Sequence, residues 1–323
     1  DSGVVELRYD DKNNCTYLKE QNGNLIKYES DEKMRNVRTV YEDGEESFVY
    51  NERNQKISYT DKNGNTTRYS YDNHGNMTQV ITALGEKTCM TYDQNSNLIA
   101  VKKSGYGSVR YKYDGNGNCV QITEADGGIT QIEYRDDGSI DTIIQPDRSR
   151  IHYIYDKKGN VIQVITPSGS SIFYEYDLLN RVIQSKDGNG NIRKYEYNNQ
   201  NKLIALTNPI GKKQILSYDI DKLVSVTDYD GSQYRMQYAY SKPCKYIDSE
   251  GNITHIEYDA MGNLIKEEFP NGRIVKRTYN KLNQLESIVD GESEVLRFQY
   301  DKNGNKIKAI DPDGNQTMYT YDA

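Results

Sequence analysis

Several residue types that usually build a core or a reactive site are scarce in this 323-residue chain. It has no tryptophan, four phenylalanines, three histidines and six prolines. Its four cysteines, Cys15, Cys89, Cys119 and Cys244, are too few for a disulfide framework, so we expect free thiols. No stretch is long and apolar enough to form a membrane-spanning helix, so we expect no membrane insertion.

The charge balance excludes one further class of partner. The chain carries 41 basic and 48 acidic residues, for a net charge of -7. A protein that follows a nucleic-acid backbone needs a basic stripe. The two signs are spread along this sequence without such a stripe, so we expect no nucleic-acid partner.

Tyrosine, in contrast, is abundant, with 30 residues in a chain whose hydrophobic content is 35%. Its ring supplies apolar area, while its hydroxyl requires water or a hydrogen-bond partner. We therefore expect a partly wet face in place of a deep apolar core. Low hydrophobicity can also indicate disorder, but β-forming residues and a strict repeat argue against it.

A six-residue motif, Tyr-Asp-x-x-Gly-Asn, recurs along nearly the whole sequence. A fixed period indicates supersecondary units that bury a face by stacking on their neighbours. We interpret residues 1–323 as one array, with divergent repeats in 1–49, regular repeats in 50–218, irregular repeats in 219–257 and regular repeats in 258–323. We also expect it to be a fragment of a larger protein. The tyrosine returns every 21 residues at Tyr50, Tyr71, Tyr92, Tyr113, Tyr134, Tyr155, Tyr176, Tyr197 and Tyr218, and again at Tyr258, Tyr279, Tyr300 and Tyr321.

Two turns punctuate each repeat. An aspartate at the first turn position can accept hydrogen bonds from backbone amides ahead of it, and Gly or Asn tolerates the positive φ that closes a hairpin. The segments between turns are about seven residues long, which is strand length and too short for a helix. The predicted turn-defining residues are Asp72 and Gly75, Asp156 and Gly159, Asp259 and Gly262, and Asp301 and Gly304.

The strand that leads into each Tyr-Asp pair alternates apolar and polar residues, so its apolar set shares one face. Stacked hairpins then align a tyrosine ladder. The predicted fold class is all-β, a long antiparallel ribbon of tandem 21-residue hairpins. So large an open sheet must twist, coil or close, which predicts a spiral, a tube or a hollow shell. The candidate ladder residues are Tyr111, Tyr113, Tyr153, Tyr155, Tyr174, Tyr176, Tyr195 and Tyr197.

The repeat resembles the YD repeat of bacterial rearrangement-hotspot (RHS) proteins, toxin-complex C-components, wall-associated proteins and teneurins. The resemblance covers essentially the whole chain and implies a hairpin strip that spirals into a hollow shell. In the bacterial members, it implies a shell around a C-terminal toxin domain of a secreted or surface protein. The cleavage motif of that family, Asp-Pro-x-Gly-Leu, is missing because Asn315 follows Asp311–Gly314. We therefore assign no self-cleavage to this chain.

We expect a non-enzymatic structural array whose partner is a cargo or toxin domain of the same parent protein. The sequence places none of the three histidines, His74, His152 and His255, in a catalytic cluster. The Asp/Asn-rich turns offer oxygen ligands of the kind that Ca²⁺ prefers. Such turns need no metal, however, so we expect no cofactor and keep calcium as the alternative interpretation.

Two other functions remain open at this stage. The tyrosine ladder could stack on sugar rings, which would make the chain a carbohydrate-binding, adhesive module with glycans or a cell-surface partner. The irregular stretch from Tyr234 to Pro243 could instead contact a protein partner. Unpaired terminal strands could also template end-to-end self-association.

Overall fold

The computed structural model describes residues 5–12, 14–20, 23–291 and 294–322. Residues 1–4, 13, 21, 22, 292, 293 and 323 of the predicted array lie outside this part of the chain. All regular secondary structure in the described residues is β, in 31 strands, and paired strands run antiparallel. The prediction of an all-β antiparallel ribbon of hairpins is confirmed.

The chain divides into two compact units. The first comprises Asp1–Cys89, Ala239–Lys245 and Ile253–Ala323, and the second comprises Met90–Tyr238 and Tyr246–Asn252. The strands within the first unit are β1 Glu6–Asp10, β2 Cys15–Lys19, β3 Leu25–Ser30, β4 Asn36–Tyr41, β5 Gly44–Tyr50, β6 Lys56–Thr60, β7 Thr66–Tyr71, β8 Met77–Ile81, β25 Ile253–Tyr258, β26 Leu264–Glu268, β27 Ile274–Tyr279, β28 Leu285–Asp290, β29 Glu294–Tyr300, β30 Lys306–Ile310 and β31 Gln316–Met318.

The second unit holds the most regular repeats. Its strands are β10 Leu98–Lys103, β11 Gly107–Tyr113, β12 Cys119–Thr123, β13 Ile129–Tyr134, β14 Ile140–Ile144, β15 Arg150–Tyr155, β16 Val161–Ile165, β17 Ser171–Tyr176, β18 Val182–Lys186, β19 Ile192–Tyr197, β20 Leu203–Thr207, β21 Lys213–Asp219 and β22 Lys222–Thr227. Three further strands lie at the unit boundaries, namely β9 Lys87–Tyr92, β23 Gln233–Ala239 and β24 Lys242–Ile247.

The two strands of each repeat differ in burial. In β13, which leads into Tyr134, exposed and half-buried residues alternate, with Thr130, Ile132 and Tyr134 on the covered face. Strand β16, by contrast, is half-buried at every position. Alternation is what a strand with one solvated face shows, and continuous partial burial fits an apolar run covered on both faces.

Few side chains are fully covered. In the described residues, the buried apolar side chains are Cys15, Ile26, Ala205 and Val275. A ribbon of this kind cannot draw most of its stability from a deep core. Its stability depends on ladder hydrogen bonds, turn contacts and the stacking of each hairpin on the next.

In the stretch 219–257, which we predicted to be irregular, the turns after β21 and β23 are shortened. Strand β21 pairs with β22 as far as Asp219 opposite Lys222, so a two-residue connection, Ile220-Asp221, replaces the longer turn. Ile220 has φ of 50° and Tyr240, in the corresponding position after β23, has φ of 57°. Two-residue hairpin loops require such positive φ values, and these two residues adopt them without being Gly or Asn.

We predict that Gly159→Val destabilises its hairpin by roughly 1–2 kcal/mol, the cost of placing a β-branched residue in a left-handed conformation. Gly159 has φ of +87°, and an added Cβ would meet no atom within 4 Å, so backbone strain is the main expected cost. The matched control is Gly115→Val, in an equivalent turn, because Gly115 has open space but no positive φ. Equal denaturant midpoints for the two variants would contradict the turn assignment.

Candidate functional site

The regular turn is organised around a carboxylate. In the turn Asp156–Asn160, Asp156 Oδ1 accepts the backbone N–H groups of Lys158 at 2.8 Å and Asn160 at 2.9 Å. Its Oδ2 accepts the Asn160 side-chain amide at 2.9 Å, and the Gly159 N–H donates to the Asp156 carbonyl at 3.2 Å. The bonds from the fifth turn residue to the aspartate recur at Asp72, Asp93, Asp114, Asp187, Asp248, Asp259, Asp301 and Asp311.

The glycines predicted to define these turns have the backbone conformation that the turns require. The φ values are 97° at Gly75, 87° at Gly159, 86° at Gly262 and 87° at Gly304. Glycine adopts this conformation without the steric cost that a Cβ brings.

These hydrogen bonds change the acidity of the turn aspartates. The Asn160 side-chain amide, followed by its backbone N–H, holds the pKa of Asp156 below its ordinary range. Asp301 is partly buried, which opposes the shift, but bonds from Asn305 and Asn63 outweigh burial and its pKa is also lowered. The same fifth-residue asparagine bonds lower the pKa at Asp72, Asp93, Asp114, Asp187, Asp248 and Asp311.

The turn carboxylates are thus already engaged as acceptors for their own turns. Among the described residues, no group of three or more His, Cys, Asp and Glu side chains is arranged to hold a metal ion. A calcium ion would have to compete with the backbone amides for the same oxygens.

The tyrosine that stands at the Tyr-Asp position of each repeat, called here the YD tyrosine even where another residue replaces the aspartate, makes a specific bond through its hydroxyl. Tyr155 donates to the carbonyl of Ile140 at 2.6 Å. The β14–β15 pairing begins only at Thr142, so Ile140, which pairs with Tyr134 of β13, lies beyond the residues that pair with β15, and its carbonyl accepts from the tyrosine. The same bond, to the residue fifteen positions earlier, is made by Tyr71, Tyr113, Tyr134, Tyr176, Tyr197, Tyr218, Tyr238, Tyr279, Tyr300 and Tyr321.

Cations cover several YD tyrosine rings. The guanidinium of Arg135 lies 5.1 Å from the ring centroid of Tyr155, and that of Arg181 lies 4.8 Å from the ring of Tyr197. A cation over an aromatic face is attracted to the ring electrons. Comparable contacts join Arg35 to Tyr50, Lys202 to Tyr218, Lys222 to Tyr238 and Lys242 to Tyr258.

The cationic residue also links successive turns. Arg181 occupies the fifth turn position, where regular repeats have Asn, and its side chain binds Asp177 of its own turn at 2.6 Å. It also donates to the Asn198 carbonyl at 3.1 Å and to Asn201 Oδ1 at 3.0 Å in the next turn. Sequence reasoning did not identify this substitution, although the sequence shows it: Arg35, Arg181 and Lys202 each end a turn that lacks Gly-Asn.

The structure brings the predicted ladder tyrosines together in pairs. In four pairs, the YD tyrosine lies close enough to the tyrosine two residues before it on the same strand for that neighbour to raise its pKa, although burial is the larger cause. The pairs are Tyr111 with Tyr113, Tyr153 with Tyr155, Tyr174 with Tyr176, and Tyr195 with Tyr197.

Sequence reasoning missed Tyr238 as a YD tyrosine. Its hydroxyl donates to the Leu223 carbonyl at 2.9 Å, in the same way as its neighbours in the series. Tyr238 falls 20 residues after Tyr218 and 20 before Tyr258 because each two-residue turn shortens its repeat. A search that allowed one-residue gaps would have found it.

The described residues contain no helix that is both long and apolar enough to cross a membrane. In the second unit, Nδ1 of His152 lies 3.0 Å from Thr142 Oγ1 and 3.5 Å from Asp141 Oδ2.

We predict that Tyr155→Phe destabilises the chain by about 1 kcal/mol because it leaves the half-buried Ile140 carbonyl without its hydroxyl donor. The matched control is Tyr153→Phe, two residues earlier on the same strand. We expect a lower urea midpoint for the first variant and little change for the second. Equal effects would mean that the hydroxyl bond does not distinguish the YD tyrosine.

We predict that stability falls at acid pH. The turn aspartates have folded-state pKa values below the ordinary value of 3.8, so their contribution is fully present above that value and is lost as pH falls through the folded-state values. The urea midpoint should stay level from about pH 7 to about pH 5 and decline below about pH 4. Asp156→Asn should flatten this decline, and a midpoint independent of pH in the wild-type chain would contradict the account.

Comparison with known proteins places this geometry in a family. A comparison with curated protein sequences gave no match. Among solved structures, the crystal structure of TcdB2-TccC3-TEV matches with a TM-score of 0.59 and 14% identity over 99% of this chain and 24% of the other. That of TcdB2-TccC3 without its hypervariable C-terminal region matches with a TM-score of 0.57 and 16% identity, over 90% of this chain and 18% of the other.

The structure of the Photorhabdus luminescens Tc holotoxin pore, with a mutated TccC3, matches with a TM-score of 0.57 and 16% identity over 98% of this chain and 24% of the other. The present chain thus spans a quarter or less of the length of these solved chains, and the likeness shows a shared fold. The family model described as "Teneurin YD-shell" matches residues 17–175 and 169–323. The chain therefore belongs to the teneurin YD-shell family.

Proposed function

We propose that this chain is a non-catalytic segment of a YD-repeat shell that encloses or presents a cargo, such as a toxin domain, within a larger secreted or surface protein. One observation carries the proposal. The side chains that define the repeat are engaged in holding the repeat together, the aspartates by their turn amides and the YD tyrosines by backbone carbonyls. Residues engaged in this way build a wall and are not free for chemistry.

The solved relatives support the cargo part of the proposal. One of them is a Tc holotoxin pore, and another is a TcdB2-TccC3 structure without its hypervariable C-terminal region. The present chain aligns with a quarter or less of the length of these solved chains. We propose that its parent protein has the same division between a repeat shell and a separate domain.

We also propose that the candidate ladder tyrosines act in packing and not in glycan recognition. A sugar ring stacks on an open aromatic face, but Arg135 and Arg181 already lie over the rings of Tyr155 and Tyr197. A glycan would have to displace a cation that the protein itself provides. The same reasoning favours a structural role for the turn aspartates over calcium binding.

We predict that small-angle X-ray scattering of the 323-residue chain gives an interatomic distance distribution with its maximum at longer distances than a solid particle of the same mass would give. A curved wall around a cavity requires this shift. A dilution series separates this signal from end-to-end association through the terminal strands, because only association depends on concentration. A solid compact particle or a straight ribbon would contradict the shell.

A glycan screen separates the proposed function from its alternative. Wild-type chain and the Tyr153→Ala variant, with Tyr106→Ala as a control at an exposed turn position, should show no specific glycan binding. Specific binding that disappears in Tyr153→Ala but not in Tyr106→Ala, with both variants folded, would favour the carbohydrate-binding module.

A further inference from the structure

Two turns of identical sequence meet in the first unit, although they belong to distant repeats. Both read Asp-Lys-Asn-Gly-Asn, at 61–65 and 301–305. The Asn63 side-chain amide donates to Asp301 Oδ2 at 3.0 Å, and the Asn303 amide donates to Asp61 Oδ2 at 2.7 Å. The two bonds join residues 238 and 242 positions apart and are reciprocal, since each turn supplies one donor and one acceptor.

A second contact continues the meeting one repeat earlier. Lys281, in the turn that follows Tyr279, lies 2.7 Å from Glu42, in the turn between β4 and β5. Lys302 packs beside Gly44, where an added Cβ would lie 3.5 Å from the lysine Cδ. Glu42 lies one repeat before Asn63, and Lys281 lies one repeat before Lys302. The contacts are therefore spaced by one repeat on both strips of chain and form a regular seam. We define the seam as Glu42 with Lys281 and the turn 61–65 with the turn 301–305.

The seam joins opposite edges of the ribbon. Because successive strands are antiparallel, turns that follow a YD tyrosine lie on one edge and the connecting turns lie on the other. The turns at 280–284 and 301–305 follow YD tyrosines, whereas those at 41–44 and 61–65 are connecting turns. The Lys281–Glu42 pair is largely exposed and contributes little. The two amide–carboxylate bonds are therefore the specific part of the seam.

We propose that the turns 61–65 and 301–305 form a latch that holds the late repeats against the early repeats, and that conversion of Asn63 or Asn303 to aspartate opens it. The conversion replaces an amide donor by a carboxylate that faces Asp301 or Asp61. One hydrogen bond is lost and two like charges are brought together. The rest of the turn is unaffected, because Asn63 contributes to its own turn through its backbone N–H.

Both latch asparagines precede glycine, so this conversion can also occur without an enzyme. In deamidation, the deprotonated backbone nitrogen of the glycine attacks the asparagine Cγ. The bond from Cγ to Nδ2 breaks, the nitrogen takes up protons and leaves as ammonia, and a succinimide ring closes. Water then adds to one carbonyl and opens the ring to aspartate or isoaspartate. A closed latch should slow this reaction, because the attacked amide is held by the carboxylate opposite.

The chain contains matched controls for this inference. The turns 114–118 and 187–191 have the same Asp-x-Asn-Gly-Asn pattern, and their glycine N–H groups bond to the turn aspartate as they do at 61–65 and 301–305. The described part of the chain provides no hydrogen-bond acceptor for the side-chain amides of Asn116 and Asn189. These four turns therefore differ in whether the asparagine amide is held.

The first test follows deamidation of the wild-type 323-residue chain at mildly alkaline pH by peptide mass spectrometry. Asn116 and Asn189 should convert faster than Asn63 and Asn303. Equal rates at the four positions would overturn the latch. This test needs no variant, so it does not depend on whether a mutant folds.

The second test measures hydrogen exchange in Asn63→Asp, with Asn116→Asp as the control. Exchange at residues 301–305 should become roughly tenfold faster in the first variant, as expected for loss of a charge-assisted hydrogen bond. It should not change in the second. In the double variant N63D/D301N the donor and acceptor are exchanged, and Asn is already the first turn residue at Asn51, Asn198 and Asn280. Slow exchange should then return, whereas unchanged exchange at 301–305 in N63D would overturn the proposal.

Discussion

The carboxylate that accepts its own turn's backbone amides is the interaction on which the rest of this structure depends. A hairpin turn directs several N–H groups inward with no strand partner, and unsatisfied amides are costly. Asp156 satisfies two of them with one oxygen and anchors the Asn160 side chain with the other. The fixed turn sets where each strand begins, and therefore the register of the ladder on both sides.

The YD tyrosine carries this order from one hairpin to the next. Its hydroxyl bonds to the preceding strand beyond the last paired residues of the two strands, as Tyr176 of β17 does at the Val161 carbonyl of β16. Its ring accepts a cation wherever the turn has exchanged Asn for Arg or Lys, as at Arg181 and Tyr197. Because few of the described side chains are fully buried, these repeated local bonds supply the stability that a buried apolar core supplies in other proteins. The array is thus stabilised by nearest neighbours, as expected for a repeat protein.

The sequence alone predicted much of the local structure and less of what joins distant parts. The Asp and Gly positions predicted the turns because each has a physical role there that few other residues fill. The period hid Tyr238, because the short turn at Ile220 removes one residue and a fixed 21-residue spacing then fails. The replacement of Asn by Arg181 was also missed, since two of its partners, Asn198 and Asn201, lie in the next turn.

Long-range contacts were beyond sequence reasoning for a different reason. The bonds between Asn63 and Asp301 depend on how twist accumulates over many strands, and no local pattern specifies that sum. Which repeats meet is therefore a property of the assembled ribbon. The same limit applies to the candidate site, because the sequence placed the ladder tyrosines on strands without showing that carbonyls and cations already engage them.

The central claim, that the YD tyrosines are structural, is tested most directly by an absorbance titration of tyrosine at alkaline pH. Burial raises the pKa of Tyr113, Tyr155, Tyr176 and Tyr197 above the ordinary value of 10.0. Their contribution to stability is therefore present below that value and is lost as pH rises through the folded-state values. The account predicts two groups of tyrosines. The exposed tyrosines ionise first, and the YD tyrosines ionise only at higher pH, together with loss of β-structure. Ionisation of all tyrosines near 10.0 in a chain that stays folded would contradict it.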